Sequence, residues 1–267
     1  MRCQTMDGNR KRGPDKQPRQ RPTKERYEMN PLMARPSPRD IPEVKEESDK
    51  IKIEKLWVKY YQEKEAYTII QDYFLDHKQY THLVIAPDDL VVTREAFDRI
   101  RHWSVKYRLQ VIAGICNLSW QERDKFSCCQ SVSGFRFATE EDFDNHRWYD
   151  GRYRQLIEVG HEGFACSCIR RDVFENYNIR LDDGMNDDKS AHFDWAFSLK
   201  CNKAGIPIYV DKKARMLHLR NRLGEGVLEN KGVGLKQPTV ILQRVNEKYN
   251  EKMPDSLQES TENEVVI

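Results

Sequence analysis

A β-rich run, Ile53–Tyr60, and two apolar runs, Thr81–Ala86 and Leu109–Cys116, alternate with stretches whose apolar residues recur every three to four positions. Leu83-Val84-Ile85-Ala86 and Val111-Ile112-Ala113 lack polar alternation, so strands built from them must be covered on both faces. The stretch after the first run places Ala66, Ile69, Ile70, Tyr73, Phe74 and His77 on one helical stripe. After the second run, Thr93 stands as an N-cap before a helix whose inward face is Phe97, Ile100 and Trp103. Strand, helix, strand, helix, strand with doubly buried strands predicts an α/β fold: a mainly parallel central sheet flanked by helices.

The rhythm then changes. Ser127–Ala138 reads as short strands with turns, which predicts a small antiparallel extension, and a further apolar run surrounds Gly163–Cys168. Asp172–Tyr177 fits a short helix, and Asp194–Ala204 a longer one stopped by Gly205 at its C′ position. Ile206–Val210 and Arg215–Leu219 fit short strands. Pro238 stands as the first-turn residue of a C-terminal helix with Ile241, Val245 and Tyr249 inward.

The ends differ in composition. Seven of the eleven prolines precede residue 43, and residues 1–26 hold nine basic and three acidic side chains. So little apolar surface cannot offset the ordering entropy, so residues 1–27 are expected to be a disordered basic tail. Such a tail is either merely solvated or a contact for nucleic acid or an anionic surface. Residues 247–267 carry six acids and two bases, and 253–267 read as an acidic disordered tail. A domain over 28–222 and a helical extension over 223–252 lie between.

Composition excludes several classes. With 267 residues, 33% of them charged, the chain has no apolar stretch near the ~18 residues a spanning helix needs, and its start lacks an apolar signal core. A soluble, cytoplasmic protein is expected. A net charge of +2 gives no global field for a polyanion. Seven cysteines without a C-x-x-C pair suit a reducing compartment, and Cys128-Cys129 with Cys166-x-Cys168 lacks zinc spacing. No G-x-S-x-G, Walker A or G-x-G-x-x-G motif is present, which argues against hydrolase, P-loop and dinucleotide sites.

Asp88-Asp89 is the sharpest chemical signal. The pair follows the strand Leu83–Ala86, at the edge where open α/β sheets collect ligands, and paired carboxylates there can hold a hard divalent cation on a diphosphate. Pro87-Asp88-Asp89 is equally a good turn sequence. His218, in a short apolar strand, can close a metal site with Asp89 or simply be a satisfied structural histidine. Asp194 opens its helix either as a cap or as a general base beside a cleft. The acidic stretch Asp182–Asp188 reads as a loop, either a lid or a solvated turn.

Taken in order, these pieces resemble the GT-A nucleotide-diphospho-sugar transferases, nearest the family 2 glycosyltransferases. The resemblance covers residues 28–222. It rests on Leu32-Met-Ala-Arg-Pro36, Leu83–Asp89, Gly163-Phe164 with Arg170-Arg-Asp-Val-Phe174, Asp194, Gly205–Val210 and His218. The family's D-x-D is the adjacent pair Asp88-Asp89 here, and no acid closes the strand Leu56–Tyr61. The resemblance implies a GT-A, Rossmann-like fold and a metal-dependent, inverting transfer of sugar from a nucleoside-diphosphate sugar. The acceptor hydroxyl would belong to a glycan, a lipid-linked group or a nucleic acid. It implies Mn²⁺ or Mg²⁺ held by Asp89 and His218, with Asp88 at the ribose or the metal. Arg35, Gly163, Phe164 and Trp195 would lie at the donor, and Asp194 would be the base. A non-catalytic binding module and a nucleic-acid-associated protein acting through its tail are the rival expectations.

Overall fold

The computed structural model describes residues 28–37, 41–59, 62–118, 125–131, 136–144, 156–183, 185–187, 190–219 and 239–245. Both tails, the stretch 220–238 and residues 132–135 of the predicted extension lie outside them.

The first half runs β1 (Pro31–Pro36), α1 (Pro42–Lys50), β2 (Glu54–Lys59), α2 (Glu63–Asp76), β3 (His82–Ile85), β4 (Leu90–Val91), α3 (Arg94–Tyr107) and β5 (Val111–Ile115). Next come β6 (Lys125–Cys129), β7 (Phe137–Thr139), α4 (Glu140–Asp144), β8 (Leu156–Val159), β9 (His161–Glu162), β10 (Ser167–Arg170) and α5 (Arg171–Tyr177). The remainder is β11 (Met185–Asp187), β12 (Ser190–His192), α6 (Phe193–Lys203), β13 (Ile208–Arg215), β14 (Leu217–His218) and β15 (Thr239–Gln243). No helix of the described residues is long and apolar enough to cross a membrane.

Eight strands form one sheet in the order β15-β2-β1-β3-β10-β5-β13-β8. Its strands alternate sides as the apolar runs require. Leu83 and Ile85 of β3, with Val111, Ala113 and Ile115 of β5, join one core with α2, α5 and α6. Val84 and Ile112 enter a second core with α3, on the opposite face. Thr93 caps α3 as its sequence position predicts, its Oγ1 accepting from Ala96 N at 3.2 Å. Full burial of Phe97, Phe74 and Phe197 contributes roughly 1.5–3 kcal/mol apiece. A buried latch crosses the second core: Asp211 of β13 accepts from Arg99 Nε (2.9 Å) and Trp103 Nε1 (2.9 Å) of α3.

Two expectations are corrected. The sheet is mixed rather than mainly parallel. β2–β1, β1–β3 and β5–β13 are parallel, while β15–β2, β3–β10, β10–β5 and β13–β8 are antiparallel. An unbroken apolar run reports burial on both faces and carries no information on direction, so β10 can enter the middle of the sheet reversed. The predicted C-terminal helix is absent at 239–243, which forms β15 on the edge of β2, with Ile241 opposite Trp57. Thr239-Val-Ile is β-branched, and the free edge of β2 offers ladder partners that a lone helix does not. Pro238 and Tyr249 fall outside the described residues.

The described residues of the acidic stretch are paired. Met185–Asp187 pairs antiparallel with Ser190–His192. Just before it, Asp182 accepts from Arg180 Nε (3.0 Å) and Thr68 Oγ1 (2.8 Å), and Asp183 pairs with Lys200 at 2.7 Å. Arg180 is the main cause that holds the Asp182 carboxyl down to about 2. Gly205, at φ 70°, follows α6 as its left-handed stop.

Candidate functional site

The turn after β3 organises the site. Leu90 N donates to Pro87 O at 3.3 Å, so Asp88 and Asp89 are the two central residues of a tight turn. The turn reading of Pro-Asp-Asp holds, and each of the two aspartates lines a cavity. Arg35 of β1 clamps the turn from below, Nη1 donating to Pro87 O (3.2 Å) and Leu90 O (3.0 Å). This guanidinium is fully buried, and its Nε and Nη2 find no hydrogen-bond partner among the described residues. Burial lowers its pKa to about 10, with the opposing influence of Cys166 and then Asp88. Arg35 lines neither cavity at this turn and is a support beneath them.

The adjacent carboxylates part company. Asp89 lines a cleft of about 380 Å³ together with His218, Gly163, Phe164, Asp194 and Trp195. Asp88 lines a second cavity of about 540 Å³, walled by Ser37 after β1, Trp57 and Lys59 of β2, Val44 of α1, and Ile241 and Gln243 of β15. Six of the eight predicted site residues thus meet in one cleft, although they come from positions 89 to 218. Asp88 faces its neighbour, and Arg35 lies below.

His218 reaches Asp89 through a short ladder. β14 pairs antiparallel with β4, setting His218 opposite Leu90, and Leu219 N donates to Asp89 O at 2.8 Å. His218 Nδ1 lies 3.2 Å from the Asn117 carbonyl. That oxygen can only accept, so Nδ1 carries a proton. Nε2 then faces Asp89 Oδ2 at 3.2 Å. Two chemistries suit this arrangement: an imidazolium paired with the carboxylate, or an imidazole lone pair and a carboxylate oxygen converging on a cation. A backbone carbonyl fixing the far nitrogen is the usual support of a metal-ligating histidine. The donor set fits a hard or borderline divalent ion as two ligands. Among the described residues no group of three or more His, Cys, Asp or Glu side chains is placed to hold a metal.

Across the cleft, Asp194 lies in the first turn of α6 with its side chain 34% exposed. Oδ1 accepts from Trp195 N at 2.7 Å. Oδ2 lies 3.6 Å from where a Cβ on Gly163 would stand, and that Cβ would also crowd Ser127 O at 3.1 Å. Gly163 is thus needed for close approach of β6. The next residues are strained: Phe164 (φ 50°) and Cys166 (φ 60°) adopt the left-handed region without being glycine, at roughly 1–3 kcal/mol each.

Other groups in the neighbourhood escape a sequence reading. His161, 3% exposed, lines the cleft beside Asp194 and packs on Trp195 with ring centroids 4.2 Å apart. Glu162 is wholly buried, accepts from Ser167 Oγ at 2.6 Å, and its Oε1 has no hydrogen-bond partner among the described residues. Burial first of all pushes its carboxyl up to about 8, against the Ser167 hydrogen bond and aided by the Asp194 charge. Glu63, at the start of α2, is exposed and lies near the charges of Asp194 and Asp89. Desolvation there, then the charges of Asp194 and Asp89, push its carboxyl up to about 7. The one sequence signal for the buried pair was Gly160-His161-Glu162-Gly163, two titratable residues between glycines in an apolar segment.

Neither a family model nor a curated protein matches this chain. Among solved structures it is similar to A197 from STIV, with a TM-score of 0.44 and 14% identity over 69% of this chain and 82% of that one. At that score and identity the likeness carries no argument.

Proposed function

We propose that this chain is a GT-A-like glycosyltransferase that moves a sugar from a nucleoside-diphosphate sugar to an acceptor hydroxyl. The observation that carries the reading is the two-part site around one turn. Asp89 and His218 face Asp194 across a cleft of about 380 Å³, while Asp88 turns into a second cavity of about 540 Å³. The parallel block β2–β1–β3 has both cavities at its carboxyl ends, where α/β sheets bind ligands, and is the Rossmann-like part of the fold. The nucleoside occupies the second cavity, near Trp57 and Asp88. The sugar enters the cleft above Phe164 and Trp195, and the diphosphate crosses the turn between them.

Asp194 takes the proton of the acceptor hydroxyl. The freed oxygen attacks the anomeric carbon as the bond from that carbon to the diphosphate oxygen breaks, and the nucleoside diphosphate leaves. One displacement inverts the anomeric centre. Asp89 and His218 would hold Mn²⁺ or Mg²⁺, which when bound neutralises charge on the departing diphosphate. Neutral Glu162 spares Asp194 a second negative charge behind it. Arg35 keeps the turn in place without touching the donor.

The test is a thermal-unfolding screen against nucleoside diphosphates and their sugars, with and without Mn²⁺. A ligand at about 100 times its Kd adds roughly 2.7 kcal/mol, worth about 5–10 °C in a chain of this size. A shift that needs one nucleotide supports the reading, and no shift with any donor in a cooperatively melting protein refutes it. Asp194→Asn should keep the shift and stop transfer. A pair of metal-ligating side chains with no third among the described residues favours a second reading, a non-catalytic binding module, in which the shift appears but no transfer is found in the wild type.

A further inference from the structure

His161 bridges two positions of α6 one turn apart. Its Nδ1 lies 3.3 Å from Ser198 Oγ, and its Nε2 lies 4.0 Å from Asp194 Oδ2. Residues at i and i+4 share a helix face, so a ring from β9 can address both. The Ser198 hydroxyl accepts from Glu162 N at 3.3 Å. With one proton and two lone pairs it can play either role toward His161 Nδ1, its other partner among the described residues, and donation is the role that uses its proton. In that arrangement the ring proton is on Nε2, which lies within ion-pair reach of Asp194 Oδ2 at 4.0 Å and beyond a direct hydrogen bond.

From this geometry we infer that His161 is the positioning residue for Asp194, with Ser198 setting its tautomer. The ring is fixed on one side by Trp195 and beneath by Ser198, so its Nε2 faces the carboxylate in a set direction. Asp194 is then confined from three sides: Trp195 N holds Oδ1 at 2.7 Å, Gly163 leaves room for Oδ2, and His161 points a dipole at Oδ2. Oδ2 is thereby turned to the cleft, as a base needs. Other titratable groups close to the ring are Glu162, its chain neighbour, and Cys129, which pairs with His161 across β6 and β9. Burial pushes the Cys129 thiol up to about 11 and Glu162 up to about 8, so both are neutral at pH 7 and Asp194 is the charge the ring meets. The role as positioner of a base rests on the transfer reading, whereas the Ser198–His161–Asp194 chain does not.

The experiment is long-range ¹H–¹⁵N NMR of the full-length, ¹⁵N-labelled protein, with the His161 signals assigned by their loss in His161→Gln. A proton on Nε2 in the wild type is expected, lost as a preference in Ser198→Ala. The ring's titration midpoint should fall by about one pH unit in Asp194→Asn. A ring protonated on Nδ1, or a titration indifferent to Asp194→Asn, overturns the inference whatever the nucleotide screen gives. Where the screen yields a donor, His161→Phe should lower kcat on the order of 10- to 100-fold and shift the acidic limb of its pH profile, with donor KM unchanged. Gln, whose amide N–H can reach where Nε2 stood, should restore most of it. Equal turnover in Phe and wild type overturns the positioning role. Failure of the nucleotide screen removes the transfer reading, and the NMR spectra still decide whether the Ser198–His161–Asp194 arrangement exists.

Discussion

Glu162→Gln should remove a pH dependence that the buried carboxyl imposes on stability. The side chain is wholly buried and its carboxyl is pushed from an ordinary 4.5 up to about 8. Between those values the folded chain keeps a proton that the unfolded chain has released. Protons are therefore taken up on folding, and stability falls as pH rises through the window. The full effect is 8 − 4.5 = 3.5 pH units, about 5 kcal/mol at roughly 1.4 kcal/mol per unit. Most of it, roughly 3–4 kcal/mol, lies between pH 5 and 8. Gln has nearly the same shape, still accepts from the Ser167 hydroxyl and does not titrate. The wild type minus Gln difference should thus decline steadily over that interval. His82 and His102, whose pKa values burial lowers from 6.5 to about 4, take up protons only in the unfolded chain between those values and so raise stability with pH there, equally in both proteins, and they cancel in the difference. Urea titrations followed by tryptophan fluorescence at half-unit steps of pH would measure it. Parallel curves for the two proteins, or a wild type that gains stability relative to Gln as pH rises, would refute the reasoning.

Arg171→Ala should destabilise the fold by about 3 kcal/mol or more, because its guanidinium serves the carbonyls of Phe74 (2.6 Å), His77 (2.9 Å) and Tyr80 (2.7 Å) around the end of α2; urea unfolding measures the loss. The thiols of Cys116 and Cys168, pushed up to about 12 by burial, should resist alkylation at pH 8 in the native protein and react in urea, as mass spectrometry after a short iodoacetamide pulse would register. Asp89→Asn and His218→Ala should each abolish the Mn²⁺-dependent part of a nucleotide melt shift and keep a cooperative melt. An unchanged Mn²⁺ dependence would dismiss them as a ligand pair.

The chain of local patterns was enough to place most elements. Thr93 and Gly205 act through their immediate neighbours, and the apolar runs at 83–86 and 109–116 state burial on both faces, so the α/β class and these boundaries follow from short-range chemistry. The strand-end position of Asp88-Asp89 was legible for the same reason. What the tertiary structure decided is non-local. The direction of β10 depends on which edges were free, and β15 exists because β2 had an unpaired edge for Thr239–Gln243. The turn sends Asp88 and Asp89 into different cavities, which adjacency in sequence conceals. Arg35 looked like a ligand contact, yet burial beneath the turn made it a clamp on two carbonyls. His161 carries no motif, and only the packing of β9 on α6 brings it to Asp194. Periodicity encodes whether a residue is covered; which partner covers it is settled by the competition of whole elements for one core.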